Sequence, residues 1–491
     1  MRGAYDVDQI REAEQQLLDT LPDGALMHRA ATGLAVTCAR VLGRVYGTRV
    51  VLLVGSGNNG GDALFAGARL AERGARVSAL LLADRVHEPG LDALRRAGGR
   101  VVSDLPDRAD LVVDGILGIG GRGGLREPAA GIAARLPQDA LVVAVDVPSG
   151  VDSSTGQVEG PAVSADVTVT FGALKPGLVV DPGAARAGVV EVIDIGLSLP
   201  PPQVEVLQAT DVAALLPQPD RESDKYRRGV VGVAAGSDTF TGAAVLCVGG
   251  AVRGGAGMVR YVGADAPAAL VRRRWPEVVV GGGRVQAWAV GSGGGAEAPE
   301  RLRVAVGDGV PVVVDADALQ AYAAADLSGV PTLLTPHAGE LARLLGVDRG
   351  DVEARRLHHA TRAAADMGAV VLLKGSTTIV ADPDGRVRVN PTGTPALATA
   401  GSGDVLAGLC AALLARGLSA RYAGSVGAFV HGLAGRLAGQ PGGPLGGQLA
   451  AGLGGHKCVP ISATDVLHAL PRAFAAVGDG FAHGGSEKLT G

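Results

Sequence analysis

Little in this sequence favours an aromatic-lined pocket, a disulfide scaffold or a surface for polyanions. Aromatic residues make up 3% of the 491 residues, against 77 glycines, so close backbone packing and nucleotide-type loops are expected ahead of aromatic walls. Cys38, Cys247, Cys410 and Cys458 lie too far apart for a metal-ligand spacing and read as buried thiols in a reducing compartment. A formal net charge of −4 gives no electrostatic case for nucleic acid or an anionic membrane surface. No apolar run reaches bilayer length, and the start Met1-Arg2-Gly3 lacks a signal-peptide core. A cytoplasmic protein is expected. Lysine is scarce as well: Lys175, Lys225, Lys374, Lys457 and Lys488 are the only ones, so each invites a question about its role. Genome base composition is answer enough for Lys457 and Lys488.

What the chain does contain is strand, Gly-rich turn and helix in repeated order, the pattern of α/β domains. Its length suggests two or three of them, and 47% hydrophobic with 19% charged residues describes a globular protein without a large disordered block. Arg49–Val54 reads as a buried parallel strand that ends in Gly55-Ser-Gly-Asn-Asn-Gly-Gly-Asp62 and passes into a helix from about Ala63. Further strands follow at 76–82, 110–116, 140–147, 166–171 and 188–195, completing a Rossmann-like doubly wound domain. Asn59, Asp114, Asp146 and Ser149 lie at strand ends and offer oxygen atoms that could converge on a monovalent or divalent cation; singly, each reads as an Asx-turn or cap. Lys175 either pairs with a phosphate or lies on the surface. Prolines from Pro200 to Pro219 mark a boundary near residue 216, giving domains of 1–215 and 216–480 and a disordered tail over 481–491.

In the second half, Gly401-Ser-Gly-Asp404 leads into an Ala/Leu-rich helical pattern. Glycines before a helix start expose backbone N–H groups beside the positive end of the helix dipole, a place that holds phosphate. A carboxylate beside that anion hole makes sense as a base taking a proton from a hydroxyl that receives a phosphoryl group. The plainer alternative is a Gly-rich turn with Asp404 as an ordinary helix N-cap. Lys374-Gly-Ser-Thr-Thr378 adds an ammonium, hydroxyls and further N–H groups for a nucleotide phosphate, and Glu340 could hold magnesium through water. Together these describe phosphoryl transfer onto a hydroxyl.

This half resembles the ribokinase-like fold, although Asn-x-x-Glu of sugar kinases is replaced by His337-Ala-Gly-Glu340. Thr335-Pro-His-Ala-Gly-Glu340, Ala398-Thr-Ala-Gly-Ser-Gly-Asp404 and Lys374-Gly-Ser-Thr-Thr378 look like the ADP/ATP-dependent NAD(P)H-hydrate dehydratases. Asn58-Asn-Gly-Gly-Asp62, Asp114-Gly-Ile-Leu-Gly-Ile-Gly120 and Asp146-Val-Pro-Ser-Gly150 look like the NAD(P)H-hydrate epimerase domain. Fused in this order they are similar to the bacterial bifunctional NAD(P)H-hydrate repair enzymes. The resemblance covers nearly the whole chain.

The resemblance implies that the first domain interconverts the R and S hydrates of NADH and NADPH. The second then dehydrates the S form with ADP, or ATP in some members. Asn58, Asn59, Gly60, Gly61 and Asp62, with Gly118, Ile119, Gly120, Gly121, Arg122, Gly123, Gly124 and Asp146, would hold the hydrate in the epimerase. Asn59, Asp114 and Ser149 would hold potassium; Asp146 and Lys175 are the candidates for moving the proton. In the dehydratase, Ala256, Gly293, His337 and Asp404 would face the hydrate, with Asp404 as catalytic base and magnesium as cofactor. Lys374, Gly375, Ser376, Thr377, Thr378, Thr394, Gly401, Ser402 and Gly403 would hold the adenine nucleotide. Two departures bear on this. Ala63 stands where the family's turn ends in Gly, and Gly291-Ser-Gly-Gly-Gly295 replaces Gly-Pro-Gly-Leu-Gly, which weakens the contact assigned to Gly293. His337 on its own reads as a cap or core histidine; inside this motif it is expected to face the ligand. A homo-oligomer with no nucleic-acid or membrane partner is expected. The rival readings are a vitamin-precursor kinase and a first domain kept only as a scaffold.

Overall fold

Arg49–Val54 (β1) is buried from its second residue to its last, as a central parallel strand must be, and everything in its unit is laid out around it. The structure is a computed structural model that describes residues 1–217, 221–222, 224–322, 329–439 and 459–483. It forms two units: Arg2–Val204 with Glu353–Leu357, and Met1 with Glu205–Val352 and the chain from His358 onward. The division thus comes ahead of the expected boundary near residue 216. Leu207 and Val212 are buried in the core of the second unit, so the prolines stiffen the chain without marking where one core ends.

The N-terminal unit begins with helices α1 (Val7–Leu18) and α2 (Ala25–Leu42). After β1 come α3 (Asn58–Glu72), β2 (Arg76–Leu81), α4 (Glu88–Arg96), β3 (Arg100–Val102), β4 (Leu111–Gly115), β5 (Leu141–Val145), β6 (Val167–Phe171) and β7 (Val189–Ile193). The strands run β3-β2-β1-β4-β5-β6-β7, all parallel, so the order reverses at β1 and the sheet is doubly wound. One face is covered by α2 and α3, through Leu34, Cys38, Leu64 and Leu70. The Gly-rich turn differs from expectation. Asn58 to Asp62 already belong to α3, with Gly57 as its N-cap, and the turn packs so closely that a Cβ on Gly60 would lie 2.4 Å from the Gly55 carbonyl oxygen.

The second unit contains β8 (Val230–Ala234), α5 (Thr241–Arg253), β9 (Met258–Tyr261), β10 (Val279–Val280), β11 (Ala287–Val290), β12 (Val312–Val314), β13 (Thr332–Leu334), α6 (Ala338–Leu345) and β14 (Val370–Leu373). Then follow β15 (Thr378–Ala381), β16 (Val387–Asn390), α7 (Ser402–Ala415), α8 (Ala420–Ala438) and α9 (Ala463–His483). Its sheet includes the run β16-β15-β14-β13-β12-β11-β8-β9-β10, parallel from β14 onward and antiparallel at β14–β15–β16, with the short strand Val204–Val206 next to β16. That hairpin turns the lysine-bearing loop after β14 back on itself. Almost every residue of α7 is buried, and it packs on α5 so closely that a Cβ on Gly408 would lie 1.9 Å from the Cys247 carbonyl oxygen. The expected tail is helical as far as His483, and residues 484–491 lie outside the described residues. No helix among the described residues is long and apolar enough to cross a membrane.

Candidate active sites

Helix α7 begins at Ser402, and its cap is Gly401 at φ 86°, a conformation glycine adopts without strain. Asp404 therefore sits inside the first turn, so it is not the helix cap. Above this turn lies a cavity of about 510 Å³, lined by Asp404 with Gly401, Ser402 and Gly403 on one side and Lys374, Gly375, Ser376 and Thr378 on another; Thr394, Asn390, His337 and Glu340 complete the wall. A Cβ on Gly403 would stand 3.4 Å from Lys374 Nζ, so the lysine loop reaches the helix start. Thr377 does not line the cavity and is buried beside it.

Asp315, at the end of β12, ties this site together. Its Oδ1 accepts from Lys374 Nζ at 2.9 Å and from Thr335 Oγ1 at 2.8 Å, and its Oδ2 accepts from Ser292 Oγ at 2.8 Å. Burial pushes the Asp404 carboxyl up to about 7; the Asp315 charge adds to this, while Lys374 and a Ser292 hydrogen bond oppose it. Burial alone would lower Lys374, but Asp315 and Glu340 outweigh it and raise the ammonium. His431 is buried and pushed down to about 4, so it is neutral at physiological pH and its Nε2 donates to the Ser402 carbonyl at 2.9 Å. The sequence reading passed over Ser292, His431 and Asn390, and Asp315 carried only the signal of an acid at a strand end.

Four expected contacts are placed as follows. His337 caps α6: its Nδ1 accepts from Glu340 N at 3.2 Å, and Glu340 Oε2 accepts from His337 N at 2.7 Å. Its ring still borders the cavity. Glu340, expected to reach magnesium through water, is committed to this cap and lies 3.7 Å from Lys374 Nζ. Ala256 comes just before β9, at the N-terminal end of a parallel strand, whereas the cavity lies at the opposite ends of the strands; it packs against the hydrophobic core. Gly293 (φ 58°) lies against Phe240 and Ala243 and does not line the cavity. Among the described residues no three His, Cys, Asp or Glu side chains cluster as metal ligands.

In the N-terminal unit, Asp146 follows β5 with φ 67°, a strained conformation for a residue with a Cβ. Its Oδ1 accepts from Lys175 Nζ at 2.6 Å and from Thr170 Oγ1 at 3.0 Å, and Lys175 is almost wholly buried. Lys175 is therefore no surface residue. Ser149 Oγ donates to Asp114 Oδ1 at 2.6 Å and accepts from Leu117 N at 2.9 Å, while Asn59 Nδ2 donates to the Leu117 and Val145 carbonyls. Asn59, Asp114 and Ser149 thus meet around the Leu117 backbone. Burial pushes the Asp114 carboxyl up to about 6, opposed only by hydrogen bonds from Ser149 and Ile116. Asp114 Oδ2 accepts from Ser149 N at 2.8 Å and Oδ1 from Ile116 N at 3.3 Å; a fully buried carboxylate with no cationic side chain beside it is compatible with a monovalent cation.

The Gly118–Gly124 loop folds over Asn59: a Cβ on Gly118 would lie 2.8 Å from Asn59 Oδ1, Gly121 N donates to the Gly118 carbonyl, Ser153 Oγ reaches the Ile119 carbonyl, and Arg122 is exposed. A separate cavity of about 540 Å³ is lined by Asn58 and Asp62, with Glu14 of α1 and the rings of His28, Phe65 and His87. These rings form an aromatic wall that the scarcity of aromatics did not suggest. Neither Asp146 nor the Gly118–Gly124 loop lines it.

A doubly wound unit and a unit that sets a lysine, a helix start and a buried carboxylate around one cavity define a two-part α/β enzyme of the nucleotide-handling class. Residues 231–451 match the family model described as NAD(P)H-hydrate dehydratase, and residues 23–177 match that of the YjeF-related protein N-terminus. The chain is 50% identical over 494 residues to the bifunctional NAD(P)H-hydrate repair enzyme Nnr of Mycobacterium leprae, covering 97% of this chain and all of that one. It is 36% identical to the enzyme of the same name from Moorella thermoacetica, over 84% of this chain and 88% of that one. A solved ADP/ATP-dependent NAD(P)H-hydrate dehydratase from Bacillus subtilis, co-crystallised with ATP and magnesium, is 29% identical over 55% of this chain and 97% of its own, with a TM-score of 0.48. The chain belongs to the family of bifunctional NAD(P)H-hydrate repair enzymes.

Proposed function

We propose that the chain restores hydrated NADH and NADPH as an isomerase and a lyase in one polypeptide. The N-terminal unit interconverts the R and S hydrates. The C-terminal unit removes water from the S hydrate with ADP, releasing AMP and phosphate. The observation that carries this reading is the single cavity shared by Asp404, the α7 start and Lys374.

In the C-terminal unit, the N–H groups of the α7 first turn and of the Lys374–Thr378 loop, with the Lys374 ammonium, hold and neutralise the phosphates. Asp404, with a carboxyl near 7, accepts the proton of the C6 hydroxyl as that oxygen takes the phosphoryl group. Hydroxide is a poor leaving group and phosphate a good one, so departure of phosphate restores the ring double bond. Asp315 keeps Lys374 in place and holds the Asp404 carboxyl high. Magnesium, when bound, would supply further charge neutralisation.

In the N-terminal unit, Asp146, held by Lys175 and Thr170, is the base, and Asn58 to Asp62 with the Gly118–Gly124 loop hold the hydrate. Asn59, Asp114 and Ser149 would hold potassium, whose charge offsets Asp114. The buried free thiols Cys38, Cys247 and Cys410 fit a cytoplasmic setting. A kinase fused to a binding scaffold is not favoured, because the relatives are named for repair. The test is incubation of a mixed R and S hydrate with ADP: absorbance of the reduced coenzyme should return in full. Recovery that stops at the S fraction removes the epimerase half, and no recovery removes the whole reading.

A further inference from the structure

The N-terminal cavity contains a carboxylic acid with no role so far beyond holding substrate. Asp62 lies just past the first turn of α3, 7% exposed, and its Oδ1 has no hydrogen-bond partner. It lines the cavity of about 540 Å³ that Glu14 of α1 lines as well. An ionised oxygen left without a donor in a buried position is costly, whereas the neutral acid tolerates it. Burial drives the Asp62 carboxyl well above the usual carboxylate range, and the Asp146 and Glu14 charges push it further. Glu14 is itself raised by burial and by Asp146, with Lys175 and Arg11 opposing. Also near Asp62 around the cavity are Asp23, His28 and His87. Asp146, by contrast, forms an ion pair with Lys175 at 2.6 Å. Asp146 does not line this cavity, yet its charge acts on both acids, and a protonated acid with an ion-paired carboxylate this near form an acid–base couple.

We propose that Asp62 is the proton donor of the epimerase reaction, protonating the C6 hydroxyl of the hydrate as it departs, with Glu14 as its positioning residue. This rests on the epimerase reading above. The C6–O bond breaks with its electron pair on oxygen, which leaves as water carrying the Asp62 proton, and the N1 lone pair forms N1=C6. Water then adds to the other face: a C6–O bond forms, the N1=C6 pair returns to nitrogen, and the surplus proton goes to Asp146. Asp146 then gives its proton to solvent and Asp62 takes one from solvent, which restores both groups. No net oxidation occurs, and water is the only co-reactant.

The experiment uses the full chain with R hydrate of NADPH and no ADP, following the S hydrate by chromatography. Asp62→Asn should slow epimerisation about 100-fold or more, in the range of a lost general acid, with dehydration of S hydrate by the other unit unchanged. The wild-type rate should fall as pH rises through the point where Asp62 gives up its proton. Glu14→Gln removes a negative charge that holds that point high, so the fall should move to lower pH. Should Asp62→Asn fail to fold, as a melting curve shows, the Glu14→Gln profile decides alone. A folded Asp62→Asn within about threefold of wild type, or a Glu14→Gln profile that does not move, overturns the proposal. A wild-type chain that does not epimerise at all removes the epimerase reading and the proposal with it.

Discussion

Lys374 Nζ donates to Asp315 Oδ1 at 2.9 Å, so the ammonium beside the α7 start is anchored from the strand side. This pair fixes the ammonium that the proposed reading assigns to the phosphates, and it keeps a negative charge close enough to raise Asp404. Binding and basicity in the C-terminal cavity therefore depend on one buried carboxylate.

Replacing Asp404 with Asn should lower the dehydration rate by about 100-fold or more, the usual cost of a lost general base, while ADP affinity stays within a few-fold. The anion hole is backbone and survives the change. Stopped assays of NADH return and calorimetric ADP titration measure the two separately; near-normal turnover refutes the role.

On the proposed reading Asp404 is a base, so dehydration should rise with pH through about 7, where its carboxyl titrates. Asp315→Asn deletes the charge that helps to raise it, so that rise should shift to lower pH. A kcat profile of the variant that superimposes on wild type, or moves upward, counts against the coupling.

Potassium should stabilise the N-terminal unit more than sodium or choline. A cation bound only by the folded state at ten times its Kd adds about 1.4 kcal/mol, readable as a higher melting temperature in KCl. Asp114→Asn should remove the difference between the salts. If the variant keeps the potassium effect, the cation sits elsewhere.

Gly408→Ala tests the α5–α7 packing that places the Asp404 turn. Helix propensity alone favours Ala by about 1 kcal/mol, but the added carbon would lie 1.9 Å from the Cys247 carbonyl oxygen, and overpacking costs about 1–3 kcal/mol. Net destabilisation is expected, measured as a lower urea midpoint; a gain in stability would mean the helices are farther apart.

The strands were legible because buried parallel strands such as Arg49–Val54 are short, apolar and flanked by glycine. The lysine loop and the Gly401–Asp404 turn were legible as motifs because their chemistry is local. Residues that act through tertiary contact were not. Glu14 lies on a helix whose charges look like those of any solvated face, and nothing in sequence shows that it lines the same cavity as Asp62. Ser292 was hidden among glycines, and only the fold brings it to Asp315. The helical start at Asn58 was missed because glycine is a poor helix former; close approach to Gly55 outweighs that preference. Ala256 was placed at the hydrate through a motif alone, with no account of which end of its strand it occupies.

The most direct test of the central claim follows one oxygen atom. S hydrate carrying oxygen-18 in its C6 hydroxyl, turned over with ADP, should yield inorganic phosphate that contains the label, since that oxygen leaves with the phosphoryl group. Label appearing in water, with unlabelled phosphate, would contradict phosphorylation of the hydroxyl and with it the role assigned to the Asp404–Lys374 cavity.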